Sequence, residues 1–153
     1  MKQQRKIILC GRLYDGVTRE WKQNWKILVD GALIAAVGPQ VPRPEDAAEI
    51  DLSDCQVTPG MIDAHMHMDY IDWHTIREEV YTTSEEAKTL AIARCARMAL
   101  GRGFTTVRHV GGITSNGYGV LDVKEFIERG YMPGSRIVAA PVVLCTAGST
   151  GDV

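Results

Sequence analysis

The sequence contains no long hydrophobic run. Its longest apolar stretches are Ile7–Cys10, Ala32–Val37 and Ile137–Leu144. All three are far shorter than the ~20 residues that a membrane-spanning helix requires. The four apolar residues nearest the N-terminus are also too few for the apolar region of a signal peptide. These absences predict a cytoplasmic protein that has no membrane as a partner.

An excess of positive charge is also missing. The 17 Lys and Arg are outnumbered by 19 Asp and Glu, which gives a net charge of −2. Without a basic field to attract a phosphate backbone, nucleic acid is not an expected partner. The four cysteines are widely separated and form no C-x-x-C pair, which predicts reduced thiols rather than a disulfide framework. With 45% hydrophobic and 24% charged residues, the composition is that of an ordinary globular protein.

Short strands joined by turns characterise residues 1–58, which we interpret as a small antiparallel β unit. Asp30-Gly31 is a strong signal for a two-residue hairpin, because a type I′ turn needs positive φ at both central positions. A second short hairpin is expected after the proline-rich segment, and Thr58-Pro59-Gly60 marks a domain boundary. The expected strands are Lys6–Leu13, Trp25–Val29, Leu33–Val37, Glu49–Leu52 and Cys55–Val57.

In residues 59–153 the pattern changes to an alternation of strands and helices. Thr83-Ser-Glu-Glu86 has the spacing of a capping box, with Glu86 reaching back to the Thr83 amide, and Gly101 and Gly103 lie where the helix should end. The order β-α-β-α-β with long crossovers predicts a parallel α/β sheet. The expected strands are Met61–His67, Phe104–Val110 and Arg136–Leu144, and the second helix is Leu121–Arg129, capped by Gly130. The first helix should bury Ala87, Leu90, Ala91, Cys95, Met98 and Ala99.

Two histidines stand at the carboxyl end of the first of these strands, in Asp63-Ala-His65-Met-His67. Residues i and i+2 of a strand share a face, so both imidazoles can bind one divalent cation at ~2.0 to 2.1 Å. The alternative is a pair that is hydrogen-bonded or faces solvent, but parallel α/β folds place active sites at this end of the sheet. Asp63 is expected on the same face, either accepting the second N–H of a ligand histidine or bonding local backbone.

The segment Val57-Thr-Pro-Gly-Met-Ile-Asp-Ala-His-Met-His67 resembles the P-G-[LMF]-I-D-x-H-x-H motif of the amidohydrolase superfamily. Gly103–Gly112 resembles the second barrel strand of these enzymes, and the N-terminal strands resemble their small β-sandwich. Within the superfamily, the pattern is most similar to imidazolonepropionase-like and prolidase-like members. The resemblance implies an α/β fold, the N-terminal part of a (β/α)8 TIM-like barrel preceded by a β-sandwich segment.

This resemblance also implies a metal-dependent hydrolase of amide or dipeptide-like C–N bonds, with one or two divalent ions, zinc being expected. Metal ligands in the family come from several strands, and here only His65 and His67 match. Because a barrel needs ~250 residues, the chain is interpreted as an N-terminal fragment that is inactive alone. Expected partners are a small amide or dipeptide-like substrate and either a second copy or a complementary C-terminal fragment. The alternative is a non-catalytic truncated relative that acts as an assembly or metal-binding module.

The sequence departs from the family at two places. His109 stands where relatives often have Asp, and it is either a further metal or substrate ligand or a hydrogen-bonded structural residue. Cys145-Thr-Ala-Gly-Ser-Thr-Gly-Asp152 only loosely resembles a T-G-G-H-G-D segment and lacks its histidine, so substrate contacts there are not expected to be the family's. His74, between Tyr70 and Thr83, is a less suitable candidate for a ligand.

Overall fold

The computed structural model describes residues 4–70, 82–112 and 118–149. The chain divides into two compact units, Met1–Pro59 and Gly60–Val153. In the N-terminal unit, one edge of β1 pairs with β2 and β3, and the other edge pairs with β5. The strands of this unit are β1 (Lys6–Tyr14), β2 (Trp21–Gln23), β3 (Lys26–Asp30), β4 (Leu33–Gly38) and β5 (Ala48–Val57).

The predicted hairpin is confirmed, but its two central residues are Gly31 and Ala32 rather than Asp30 and Gly31, and only Gly31 has a positive φ, so the expected type I′ turn is wrong. Strands β3 and β4 are antiparallel, with Asp30 opposite Leu33, and Gly31 has a φ of +62°. The buried apolar residues of this unit form two small clusters, each of which includes at least one side chain of β1. One contains Ile7, Val41 and Ala47, and the other contains Cys10, Leu13 and Ile27.

The second hairpin expected in this unit is wrong. Residues 48–57 form the single strand β5, which runs parallel to β1, so the unit is not entirely antiparallel. The turn-like Ser53 instead lies at an irregularity, where its amide donates to Asp51 Oδ1 at 2.9 Å and the register against β1 shifts. Gly11 lies opposite, and a Cβ there would overlap the carbonyl of Ser53, so the close strand pairing requires glycine.

The C-terminal unit has the predicted strand and helix alternation, with a parallel sheet in the order β6-β7-β8. Its core lies between the sheet and the two helices and includes Met68, Ile92, Val107 and Ile137. No helix in the described part of the chain is long and apolar enough to cross a membrane. The elements are β6 (Met61–Met66), α1 (Glu85–Gly101), β7 (Phe104–His109), α2 (Gly119–Glu128) and β8 (Arg136–Ala139).

Helix α1 begins one residue later than the predicted capping box. Its N-cap is Ser84, whose hydroxyl accepts a hydrogen bond from the Ala87 amide at 3.2 Å. The helix ends as predicted, with Gly103 at a φ of +88° immediately after the cap. The expected buried face is wrong in part, because Leu90 is 70% exposed. The residues that pack inward are Lys88, Ile92, Ala96 and Ala99.

Strand β8 is shorter than the predicted Arg136–Leu144. It ends at Ala139, and Pro141 follows, which cannot donate a ladder hydrogen bond. The apolar residues Val142, Val143 and Leu144 are exposed and lie outside the strand. Apolar sequence alone therefore overestimated the length of this strand.

Candidate metal centre

The histidine pair lies at the carboxyl end of β6, with His65 in the strand and His67 just beyond it. Their ring centroids are 5.4 Å apart and the ring planes meet at 74°. The His65 ring is exposed and the His67 ring is half-buried. Two imidazoles therefore lie side by side at the end of the sheet where an α/β active site is expected.

His67 is held in one orientation by the turn that follows β7. Its Nδ1 lies 2.7 Å from the carbonyl oxygen of Gly111. A carbonyl can only accept a hydrogen bond, so we assign the proton to Nδ1, which leaves the lone pair on Nε2. On its other side, the His67 ring stacks on Tyr70, with centroids 5.2 Å apart and planes 13° from parallel.

Asp63 does not share the face of the histidines, which corrects the sequence-based expectation. Pairing with β7 advances from Asp63 opposite Val107 to Met66 opposite His109, so β6 contains one extra residue between these pairs. This bulge places Asp63 on the same face as Met66, toward α1.

The Asp63 carboxylate caps the bulge. Its Oδ1 accepts a hydrogen bond from the His65 amide at 3.0 Å. Of the two roles considered for Asp63, this contact corresponds to the bond with local backbone. The carboxylate thus acts on the conformation of the strand next to His65 rather than on an imidazole ring.

His109 is buried beneath the end of β6. Its Nδ1 accepts a hydrogen bond from the Met68 amide at 3.3 Å. Burial lowers the pKa of His109, the nearby Asp69 carboxylate opposes that shift, and the His67 ring adds to it. The His109 ring therefore supports the segment after His67 through its Nδ1, which is engaged by the Met68 amide.

Sequence reasoning missed Asp69 and the part that Gly111 and Gly112 play beside it. Asp69 is fully buried, and a Cβ on Gly112 would overlap its carboxylate. Gly111 has a φ of +93°, in the region that favours glycine. The only available signal was a carboxylate two residues after the second histidine, because its contact with Gly112 depends on the fold.

The donor set fits part of a metal site. Metal-bound histidines usually donate their second ring N–H to a carbonyl or carboxylate, as His67 does to Gly111. Within residues 4–70, 82–112 and 118–149, however, no three His, Cys, Asp or Glu side chains are grouped to hold an ion. Catalytic zinc usually has three protein ligands. His74 lies outside the described residues, as does the end of the segment 145–152, while Cys145 itself is exposed.

Comparisons with known proteins identify the family. The profile of the amidohydrolase family matches residues 56–151. A dihydroorotase of Clostridium acetobutylicum is 32% identical over 101 residues, which are 66% of this chain and 20% of that protein. Adenine deaminase 2 of Agrobacterium fabrum is 33% identical over 101 residues, again 66% of this chain and 14% of that protein.

Among solved structures, a Xaa-Pro dipeptidase with methionine bound in its active site is similar, with a TM-score of 0.83 and 28% identity. The match covers 97% of this chain and 36% of the dipeptidase, so the chain spans only about a third of its length. The matched family region contains both histidines of the candidate centre together with Asp69, His109 and the glycine pair. The chain belongs to the amidohydrolase family.

Proposed function

We propose that this chain supplies the first metal ligands, His65 and His67, of a metal-dependent hydrolase of C–N bonds. The observation that carries the proposal is the adjacent histidine pair at the end of β6, with His67 Nδ1 2.7 Å from the carbonyl oxygen of Gly111. Membership of the amidohydrolase family supports the reaction class. The dihydroorotase, adenine deaminase and Xaa-Pro dipeptidase differ in substrate, so we propose small amides or dipeptide-like molecules as the class.

For the fold, we infer that residues 59–153 form the first strands and helices of a (β/α)8 barrel. The parallel order β6-β7-β8 and the likeness to the dipeptidase support this inference. We further infer that residues 1–58 contribute to a small β-sandwich. A barrel of eight strands then requires further strands, which must provide the remaining metal ligands and the residue that moves protons.

The chemistry of this half-site follows from the two imidazoles. His65 and His67 would hold a divalent ion, zinc being the expected metal. When bound, such an ion lowers the pKa of water toward ~7 and polarises a carbonyl group. The Gly111 carbonyl would keep the proton of His67 on Nδ1, so Nε2 would stay available to an ion.

Metal titration of the 153-residue chain tests the proposal. Calorimetry with Zn²⁺ is expected to show binding that weakens at least tenfold in His65→Ala and in His67→Ala. Leu90→Ala is the control, since it shortens an exposed side chain of α1 and should leave the affinity unchanged. Equal affinity in all four proteins would remove the pair from any metal site.

A second experiment addresses hydrolysis. The chain alone should release no product from N-acyl amino acids or dipeptides, with or without added zinc, because two imidazoles are fewer than the usual three protein ligands. Turnover by the purified chain that disappears in His67→Ala would contradict the need for ligands from further strands. Only in that case could the class of substrate be measured directly on this chain.

A further inference from the structure

Residues 66–69, at the end of β6 and just beyond it, each contact the end of β7 or the turn that follows it. The Val110 amide donates to the Met66 carbonyl at 3.2 Å. The three following contacts are His67 Nδ1 with the Gly111 carbonyl at 2.7 Å, the Met68 amide with His109 Nδ1 at 3.3 Å, and the Asp69 carboxylate against Gly112. Residues 66–69 thus lie along residues 109–112, with a contact for every residue.

Within this arrangement, Gly111 and Gly112 have different requirements. Gly111 needs its positive φ of +93°, and a Cβ there would also press against Val143 on the chain that follows β8. Gly112 needs the absence of a side chain, because its Cα is the surface against which the buried Asp69 carboxylate packs. The position of the Gly111 carbonyl is therefore coupled to the position of Asp69.

We propose that Asp69 and Gly112 are a positioning pair, which holds the Gly111 carbonyl on His67 and so fixes the tautomer that this histidine presents to a metal. The inference rests on the proposed function for its consequence in metal binding. It concerns how the ligand is held, which the family likeness does not address. Neither Asp69 nor Gly112 is a metal ligand in this proposal.

The physical argument compares the two neutral tautomers of His67. With the proton on Nδ1, the carbonyl of Gly111 is satisfied and Nε2 can bind an ion. With the proton on Nε2, the half-buried Nδ1 lone pair would face the carbonyl oxygen and the ligand nitrogen would be blocked. Outer contacts of this kind typically change metal affinity by ~10- to 100-fold when they are removed.

Nuclear magnetic resonance of the metal-free wild-type chain gives the first test. Long-range proton–nitrogen spectra distinguish the two tautomers of each histidine, and sequential backbone and side-chain assignment of the labelled wild-type chain identifies the His67 signals. We expect the His67 proton on Nδ1. A spectrum with the proton on Nε2 overturns the inference, and this result does not depend on whether any variant folds.

A double-mutant cycle gives the second test. Gly112→Ala should weaken Zn²⁺ binding at least tenfold and remove the Nδ1 proton signal of His67, because the added Cβ displaces the Asp69 carboxylate. In an Asp69→Ala background the same change should cost less than twofold, since the overlap is gone. Gly101→Ala is the matched control, because a Cβ at Gly101 meets nothing within 4 Å.

The outcomes separate this inference from the proposed function. If zinc binding depends on His65 and His67 but Gly112→Ala costs the same in both backgrounds, the positioning pair is wrong and the metal site stands. If the histidine variants bind zinc like the wild type, the metal site is wrong. The tautomer measurement on the metal-free chain still decides whether Gly111 holds His67.

Discussion

Replacing Ile92 by alanine tests which face of α1 packs on the sheet. Ile92 is 1% exposed, and it belongs to the cluster that contains Val107 and Ile137. Alanine removes three carbon atoms from this core, which at ~0.8 kcal/mol each gives ~2.4 kcal/mol for transfer alone. The cavity that remains adds to this loss, so we expect a total of about 3 to 4 kcal/mol in the free energy of unfolding.

Leu90→Ala is the matched control because leucine and isoleucine are isomers and both residues lie in α1. Leu90 is 70% exposed, so little apolar surface returns to water when its side chain is shortened. Alanine is also the better helix former. The free energy of unfolding should therefore change by less than about 0.5 kcal/mol.

Urea denaturation followed by the helical circular dichroism signal measures both variants. With a slope of about 1 to 3 kcal/mol per molar urea, Ile92→Ala should lower the midpoint by roughly 1 to 4 M. Leu90→Ala should leave the midpoint nearly unchanged. Equal losses in the two variants would refute the packing of α1, and a larger loss at Leu90 would restore the face predicted from the sequence.

Three further predictions address other parts of the chain. Ser135→Ala should lower the free energy of unfolding by about 1 to 3 kcal/mol in urea denaturation, because the buried Ser135 hydroxyl donates to the Phe104 carbonyl at 2.6 Å. An unchanged midpoint would show that water replaces this hydrogen bond. Gly11→Ala should cost a similar amount, about 1 to 3 kcal/mol, because its Cβ overlaps backbone of β5, and a stable variant with intact β1–β5 cross-strand contacts in proton spectra would contradict the close pairing. Burial raises the pKa of the Cys10 thiol, so less thiolate forms at a given pH. Iodoacetamide should therefore modify Cys10 more slowly than the exposed Cys55, as measured by mass spectrometry. Equal rates would mean that β1 opens readily.

Local signals in the sequence were sufficient for several parts of the fold. The positive φ at Gly31, Gly103 and Gly130 occurs where turn and helix-end patterns placed glycine. The alternation of strands and helices gave the parallel sheet, because long crossovers permit few other arrangements. The turn and the helix ends depend on backbone conformation within a few residues, which is the information that a local pattern contains.

Two predictions were wrong at places where the conformation depends on residues that are distant in the sequence. The face of α1 that contains Ile92 is selected by the sheet and α2, whereas apolar spacing alone favoured the face of Leu90. Asp63 was assigned to the histidine face by strict alternation, but the bulge opposite β7 reverses that alternation. Each of these two errors therefore reflects a contact that a local pattern cannot contain, whereas the overestimated length of β8 passed over Pro141, which is a local signal.

The candidate site combines both kinds of information. His65 and His67 are two residues apart, so their proximity is largely local and the sequence predicted it. The support of His67 comes from Gly111, which is 44 residues further along the chain and reaches the ring only because β7 lies parallel beside β6. In a parallel sheet the carboxyl ends of neighbouring strands meet, so ligands supplied by one strand are oriented by the turn after the next. At the proposed site, the orientation of His67 is therefore a property of the pair β6 and β7, and a search for further positioning residues should begin at the end of the neighbouring strand.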